Sequence, residues 1–188
     1  MNPFLLDFPE QFETERLLIR APKSGDGKVV NEAIIASIKE LKPWMPFARN
    51  LPSEEDTEIN IRQAYIKFLS RDDLRFHVFL KETGEFVVSS GLHRIDWNVK
   101  KFEIGYWADS RHTQKGYVTE TVVALTDFAF KHLKANRIEI RCDAKNSKSR
   151  AVAERLDFSL EGILVNGDLS VDQTELRNTC IYAKIRNE

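Results

Sequence analysis

Residues 111–120, RHTQKGYVTE, hold a single glycine beside a lysine, between a strand-like run and a helix-like run. A strand, a short glycine-containing loop and a helix start form a setting in which main-chain N–H groups point at an anion. The first N–H groups of a helix have no internal partner, and the helix dipole adds partial positive charge there. Phosphate is the natural ligand of such a site. Gly116 lets the backbone approach without a Cβ, Lys115 adds a charge, and Thr119 offers a hydroxyl. The same residues also suit a plain turn shaped by Gly116. Neither a nucleotide P-loop nor a dinucleotide fingerprint is present, because G-x-x-x-x-G-K-[ST] is absent and the stretch has one glycine.

The elements around this loop are legible from periodicity. RLLIRA (residues 16–21) reads as a first strand, and residues 29–41 carry Val30, Ile34, Ile35, Ile38 and Leu41 at helical spacing. LKPWMPFARN is irregular because two prolines flank Trp44. Ser53 before Glu54, Glu55 and Asp56 reads as a helix cap with acids in the first turn. RFHVFLKE and EFVVSSGLHRID flank TG and read as an antiparallel hairpin. VKKFEIGYW sets Phe102, Ile104 and Tyr106 on one strand face and Glu103, Gly105 and Trp107 on the other. From Val118 a helix carries Val122, Leu125, Ala129 and Leu133. RIEIRCD is a strand, NSKSRAVAERLDF a helix capped by Asn146 or Ser147, and FSLEGIL and TCIYAKI are closing strands. The passage from Val99 to Asp143 is long enough for a right-handed parallel crossover. The order predicts a mixed α/β sheet with helices on both faces.

Size and composition fit one compact domain, residues 1–188, with a sizeable core. Apolar residues at 42% and charged residues at 30% are ordinary for a globular chain, and a net charge of −1 points to neither nucleic acid nor an anionic membrane. No apolar run approaches the ~20 residues that span a bilayer. MNPFLLDFPEQF lacks a basic n-region and Asp7 interrupts its apolar stretch, so a cytoplasmic location is expected. Cys142 and Cys180 lie in strand-like runs without metal spacing and read as reduced core thiols; no metal is expected. His77, His93 and His112 have no partner at catalytic or metal-ligand spacing and are expected to have structural or surface roles.

EIGYW before the loop, KGYVTE within it, ETERLLIRAP at the start, LKPWMPFA after the first helix, and N-x-x-S at residues 146–149 occur in an ordered set. Together they resemble the GNAT superfamily of acyl-CoA-dependent N-acyltransferases, and its RimJ/RimL branch in particular, over nearly the whole chain. The resemblance implies a sheet splayed between the fourth and fifth strands, with acetyl-CoA entering the gap as a co-substrate. It implies pantetheine contacts from the backbone near Trp107 and Ala108, and a pyrophosphate on Gln114, Lys115, Gly116, Tyr117, Val118 and Thr119. Asn146 would contact the cofactor from the far wall and Ser149 would lie near the thioester sulfur. Glu103 would be the general base toward the acceptor, and Trp44 would line the acceptor pocket.

Each role has a plainer counterpart: Glu103 in a surface ion pair, Asn146 as a helix cap, Ser149 as a first-turn residue, Trp44 as a core plug. Arg150 and Arg155 either reach the phosphates or lie in water. Thr113, Gln114 and Val118 depart from the family loop pattern, with Gln114 where the branch often has glycine; Asp157 in RLDF also stands where the family usually has glycine. The activity implied is acetyl transfer to a primary amine, on a protein N-terminus or a small molecule. The departures leave open a non-catalytic acyl-CoA-binding sensor or assembly module. A homodimer through the closing strands is compatible with the chain.

Overall fold

The computed structural model describes residues 2–186. Alternation of side chains builds its sheet. In β2 (Leu17–Arg20), Leu17 and Ile19 are fully buried while Leu18 and Arg20 are half-buried. β3 (Leu74–Leu80) and β4 (Phe86–Asp96) form the expected hairpin, and β5 (Lys101–Ala108) continues the antiparallel meander. A short strand that the sequence did not announce, β1 (Gln11–Glu13), pairs with β2 and makes the sheet eight-stranded. The splay therefore falls between the fifth and sixth strands. Such a short strand carries too little alternation to be read locally; its pairing to β2 defines it.

Three helices lie between β2 and β3. The single helix expected over residues 29–41 is divided into α1 (Gly27–Ala36) and α2 (Ile38–Leu41). The break is tertiary. The loop after β5 docks there, with Ser110 N–H donating to Ser37 Oγ (2.7 Å) and Ser110 Oγ donating to the Ala36 carbonyl (2.9 Å). α3 (Glu54–Ser70) starts in a capping box in which Ser53 and Asp56 satisfy each other's main-chain N–H groups, as the acids after Ser53 suggested.

α4 (Tyr117–His132) buries Val122, Leu125 and Ala129 in the main core. β6 (Arg137–Asp143) then runs parallel to β5, and α5 (Ser147–Arg155) leads to β7 (Ser159–Leu169) and β8 (Leu176–Ile185). The strand order is β1-β2-β3-β4-β5-β6-β8-β7. Both closing strands run longer than their sequence signals.

β5 and β6 pair only at Lys101↔Arg137, Phe102↔Ile138 and Glu103↔Glu139. Beyond Glu103, β5 is held by β4 as far as Ala108, and β6 is held by β8 as far as Asp143. Each strand is captured by its outer neighbour, and the facing edges part. Hydrogen-bonded and non-bonded pairs alternate along an antiparallel ladder. Asp109 N–H donates to the Val87 carbonyl (2.9 Å), in register with Trp107↔Ser89 and Gly105↔Gly91. By that alternation Trp107 and Gly105 direct their main-chain groups at β4. Ile104, Tyr106 and Ala108 direct theirs into the gap.

Candidate active site

The loop from Asp109 to Gly116 is built from buried charge and left-handed turns. Asp109 is fully buried and accepts from Arg111 Nη2 (2.6 Å) and from the Arg111 main-chain N–H (2.9 Å). Gln114 has φ +64° and Gly116 has φ +82°. Gln114 thus takes the backbone that glycine prefers, where a side chain costs roughly 1–2 kcal/mol. Gly116 caps α4 without a side chain, and the first helical bond is Glu120 N–H to the Gly116 carbonyl (3.0 Å). The main-chain N–H groups of residues 114–119 donate to no protein acceptor among the described residues.

This loop is braced from behind by residues the sequence did not single out. Glu120 accepts from Arg16 Nε (2.7 Å) and from the Thr14 hydroxyl (2.6 Å), while Arg16 Nη1 donates to the Lys115 carbonyl (3.0 Å). The Arg16 guanidinium also lies 4.7 Å over the Tyr117 ring. Burial would raise the Glu120 pKa, but hydrogen bonds from Thr14 and Arg16 outweigh it and hold the group below its ordinary range. Arg155 Nη1 donates to Thr119 Oγ1 (3.2 Å) at the same loop, whereas Arg150 turns away to the Tyr182 hydroxyl (3.1 Å).

A cavity of about 440 Å³ runs from this loop past Tyr106, Trp107 and Ala108 at the end of β5 to the start of α5. Its walls include Gln114, Gly116, Tyr117, Val118 and Thr119 at one end, and Trp107, Ala108, Asn146, Ser149 and Trp44 toward the other. Lys115 is exposed and joins the loop through its backbone. The Trp107 ring packs against Phe86 and Phe47. Asn146 caps α5, with Oδ1 accepting from Ser149 N–H (3.1 Å); its NH₂ donates to no protein group among the described residues. Tyr106, which sequence reasoning treated only as a core position, donates its hydroxyl to the Ser149 carbonyl (3.0 Å) and so ties β5 to α5. Burial raises the Tyr106 pKa, so this phenol stays protonated.

A second cavity, about 410 Å³, opens between the 40s loop and the β7–β8 hairpin. Glu103 lines it, with Arg94, Arg141, Arg177 and Trp44. The Trp44 ring faces Arg177 at 5.8 Å. The two cavities meet at Trp44, Tyr106, Asn146 and Ser149. Glu103 Oε2 is buried and has no hydrogen-bond partner among the described residues. Arg94 Nε stands 3.5 Å away and Arg141 Nε 3.6 Å, near enough to attract but not bonded. Burial raises the Glu103 pKa and these arginines only partly offset it. A desolvated carboxylate with a free oxygen is suited to receive a proton.

Two histidines have partners that the sequence could not supply. His77 is buried with Nδ1 2.8 Å from Asp26 Oδ2, and His93 Nδ1 lies 2.7 Å from Asp73 Oδ2. Cys142 and Cys180, register partners on β6 and β8, are unbridged. Burial pushes the Cys142 thiol up to about 12. No helix among the described residues is long and apolar enough to cross a membrane.

The family model described as an acetyltransferase (GNAT) domain matches residues 16–159. YdaF of Bacillus subtilis (strain 168), a candidate ribosomal N-acetyltransferase by name, is 34% identical over 161 residues, 81% of this chain and 86% of that protein. The ribosomal-protein-serine acetyltransferase of Escherichia coli (strain K12) is 30% identical over 148 residues, 77% of this chain and 80% of that protein. In fold, the chain is similar to RimL, a ribosomal L7/L12 α-N-protein acetyltransferase solved in complex with coenzyme A. The TM-score is 0.86 at 20% identity, covering 94% of this chain and 98% of that one.

Proposed function

Because the chain belongs to the GNAT acetyltransferase family, we propose that it moves an acetyl group from acetyl-CoA to a primary amine, with a protein N-terminus as the acceptor. The observation that carries this reading is the parting of β5 and β6 beyond Glu103↔Glu139, where the cavity between the two strands meets, at Tyr106, Asn146 and Ser149, the cavity that ends on the unpaired N–H groups of residues 114–119. In this reading the main-chain groups of Tyr106 and Ala108 pair with the amides of the pantetheine arm, as an added strand would. The N–H groups of the loop and the start of α4 hold the diphosphate. Arg155, already at Thr119, adds positive charge beside it.

Glu103 takes a proton from the incoming ammonium, directly or through one water. An α-amine has a pKa near ~8 and must lose that proton before it attacks. The free amine adds to the thioester carbonyl, and a main-chain N–H facing the gap stabilises the oxyanion. The carbon–sulfur bond breaks, and the departing sulfur takes the proton that the new amide nitrogen gives up, with the Ser149 hydroxyl in place to pass it on. Trp44 and the β7–β8 hairpin flank the acceptor. The names of the relatives, which act on ribosomal proteins, support a protein N-terminus over a free small amine.

The test is release of free thiol from acetyl-CoA across a panel of N-terminal peptides, polyamines and small amines. Turnover on peptides with a free α-amine is expected. Binding of CoA without turnover on any amine would favour a sensor or assembly role instead.

A further inference from the structure

Glu103 gains a proton in each turnover of the reaction proposed above, and we propose that His93, oriented by Asp73, relays that proton to solvent. The inference rests on the acyl-transfer reading. His93 and Glu103 are register partners on β4 and β5, so their side chains share a face with Cβ atoms about 5 Å apart. Two positions along the ladder, on the same face, Gly91 faces Gly105. A Cβ on Gly91 would stand 2.9 Å from His93 Cε1, and one on Gly105 would stand 3.0 Å from Cδ2 and 3.3 Å from Nε2. The imidazole therefore lies over the floor that these two glycines leave bare, leaning from Glu103 along β5.

Asp73 Oδ2 accepts from His93 Nδ1 at 2.7 Å. A carboxylate on Nδ1 selects the tautomer with the proton there and leaves Nε2 as the accepting end. Nε2 has no hydrogen-bond partner among the described residues. It borders a further cavity of about 410 Å³ under α1 and α3, which meets the acceptor cavity at Gly105 and Tyr106. His93 and Asp73 side chains are 28% and 24% exposed, so water reaches the pair. The charged and titratable groups facing this chamber are Asp56 from α3, Arg75 and His77 from β3, and Tyr106 from β5; Arg94 and Glu103 line the adjoining acceptor cleft. Arg75 is engaged by Asn60 Oδ1 (2.6 Å) and His77 by Asp26.

The proton balance closes. The acceptor ammonium gives one proton to Glu103, Glu103 passes it through water to His93 Nε2, and the imidazolium releases it to chamber water. The carboxylate and the neutral imidazole are then restored. The second amine proton leaves on the CoA thiol. Asp73 is a positioning residue in this scheme, holding the ring in both protonation states.

The test compares the parent chain, His93→Asn and Asp73→Asn in thiol release from acetyl-CoA with a turned-over amine, across pH and with added imidazole. His93→Asn keeps a donor for Asp73 but cannot shuttle a proton. Its expected kcat loss is roughly tenfold to a hundredfold with KM values little changed, partly restored by imidazole buffer, which leaves Glu103→Gln unrescued. Asp73→Asn is expected to move the pH profile of kcat, and it serves as the test should His93→Asn not fold. A His93→Asn enzyme matching the parent in rate and pH profile, a loss that imidazole leaves untouched, or an unmoved Asp73→Asn profile would overturn the relay. An inert parent would instead overturn the acyl-transfer reading.

Discussion

Glu103 and Glu139 are the last residues to face each other across β5 and β6, and they divide the nearby arginines unequally. Glu139 accepts from Arg137 Nε at 2.7 Å and from Arg141 Nε at 3.0 Å. Burial alone would raise its pKa, but these bonds outweigh it and hold the carboxyl below its ordinary range. Glu103 is left with arginine nitrogens only at 3.5 and 3.6 Å, and burial raises it. Two adjacent carboxylates are thereby pushed in opposite directions. The pair that closes the ladder also separates a structural anion from a candidate base.

Glu103→Gln is expected to lower kcat by about 10²-fold or more, with little change in CoA affinity. In the parent, activity should fall as pH drops through a value above the usual carboxylate range, and that limb should vanish in the variant. The stability sign is opposite. A carboxyl whose pKa is raised by folding contributes stability at low pH and loses it as pH rises through the folded value. At neutral pH the glutamine variant should therefore melt at the same temperature as the parent or higher. Thermal melts and pH–rate profiles check both.

Glu120→Ala removes the acceptor that holds Arg16 and Thr14 behind the loop that leads into α4. The loop keeps its N–H groups but loses their preset direction. KM for acetyl-CoA is expected to rise roughly threefold to tenfold, about 1 kcal/mol, with kcat nearly unchanged. Steady-state kinetics with acetyl-CoA varied at saturating amine would show it.

Asp157→Gly should stabilise the protein. Asp157 has φ +56°, and it ends α5 in a Schellman turn, with Phe158 N–H donating to the Ala153 carbonyl (3.0 Å) and Asp157 N–H to the Glu154 carbonyl (3.2 Å). Glycine removes the left-handed penalty but gains freedom in the unfolded chain, so the net gain is about 0.5–1 kcal/mol. A rise of roughly 2–4 °C per kcal/mol is expected in the melt. Gln114→Gly should act likewise, and its effect on CoA affinity would report whether the parent side chain touches the ligand.

The buried Asp26–His77 pair should make the fold acid-sensitive in two steps. Burial lowers the His77 pKa despite the hydrogen bond to Asp26. The unfolded chain then binds the proton more tightly, so stability falls as pH drops below the unfolded histidine value of about 6.5. For Asp26, burial raises the pKa but bonds from His77 and Arg20 lower it further, so a second loss follows as pH falls below the unfolded value near ~3.9. His77→Gln is expected to flatten the first step in melts between about pH 6.5 and 4.5 and to shrink the second without abolishing it, because Arg20 and the Lys23 N–H still bond Asp26.

Much of this molecule was legible before folding because it depends on neighbours in the chain. The β3–β4 hairpin, the Ser53 cap, the helical stripe through Val122, Leu125 and Ala129, and the loop leading to Gly116 all rest on short-range preferences that a few residues carry. The Asp157 and Gln114 turns were legible as departures, and both adopt the conformation glycine would have taken. What the tertiary structure decided depends on residues far apart in sequence. Arg16 meets Glu120 across 104 positions, Asp73 meets His93 across 20, and the helix break at Ser37 follows from Ser110 docking on it. The gap itself belongs to this second class. EIGYW reads as an ordinary strand, and nothing local tells β5 to leave β6. They part because main-chain hydrogen bonds to β4 and to β8 hold each strand on its outer side, and only the assembled sheet sets those directions.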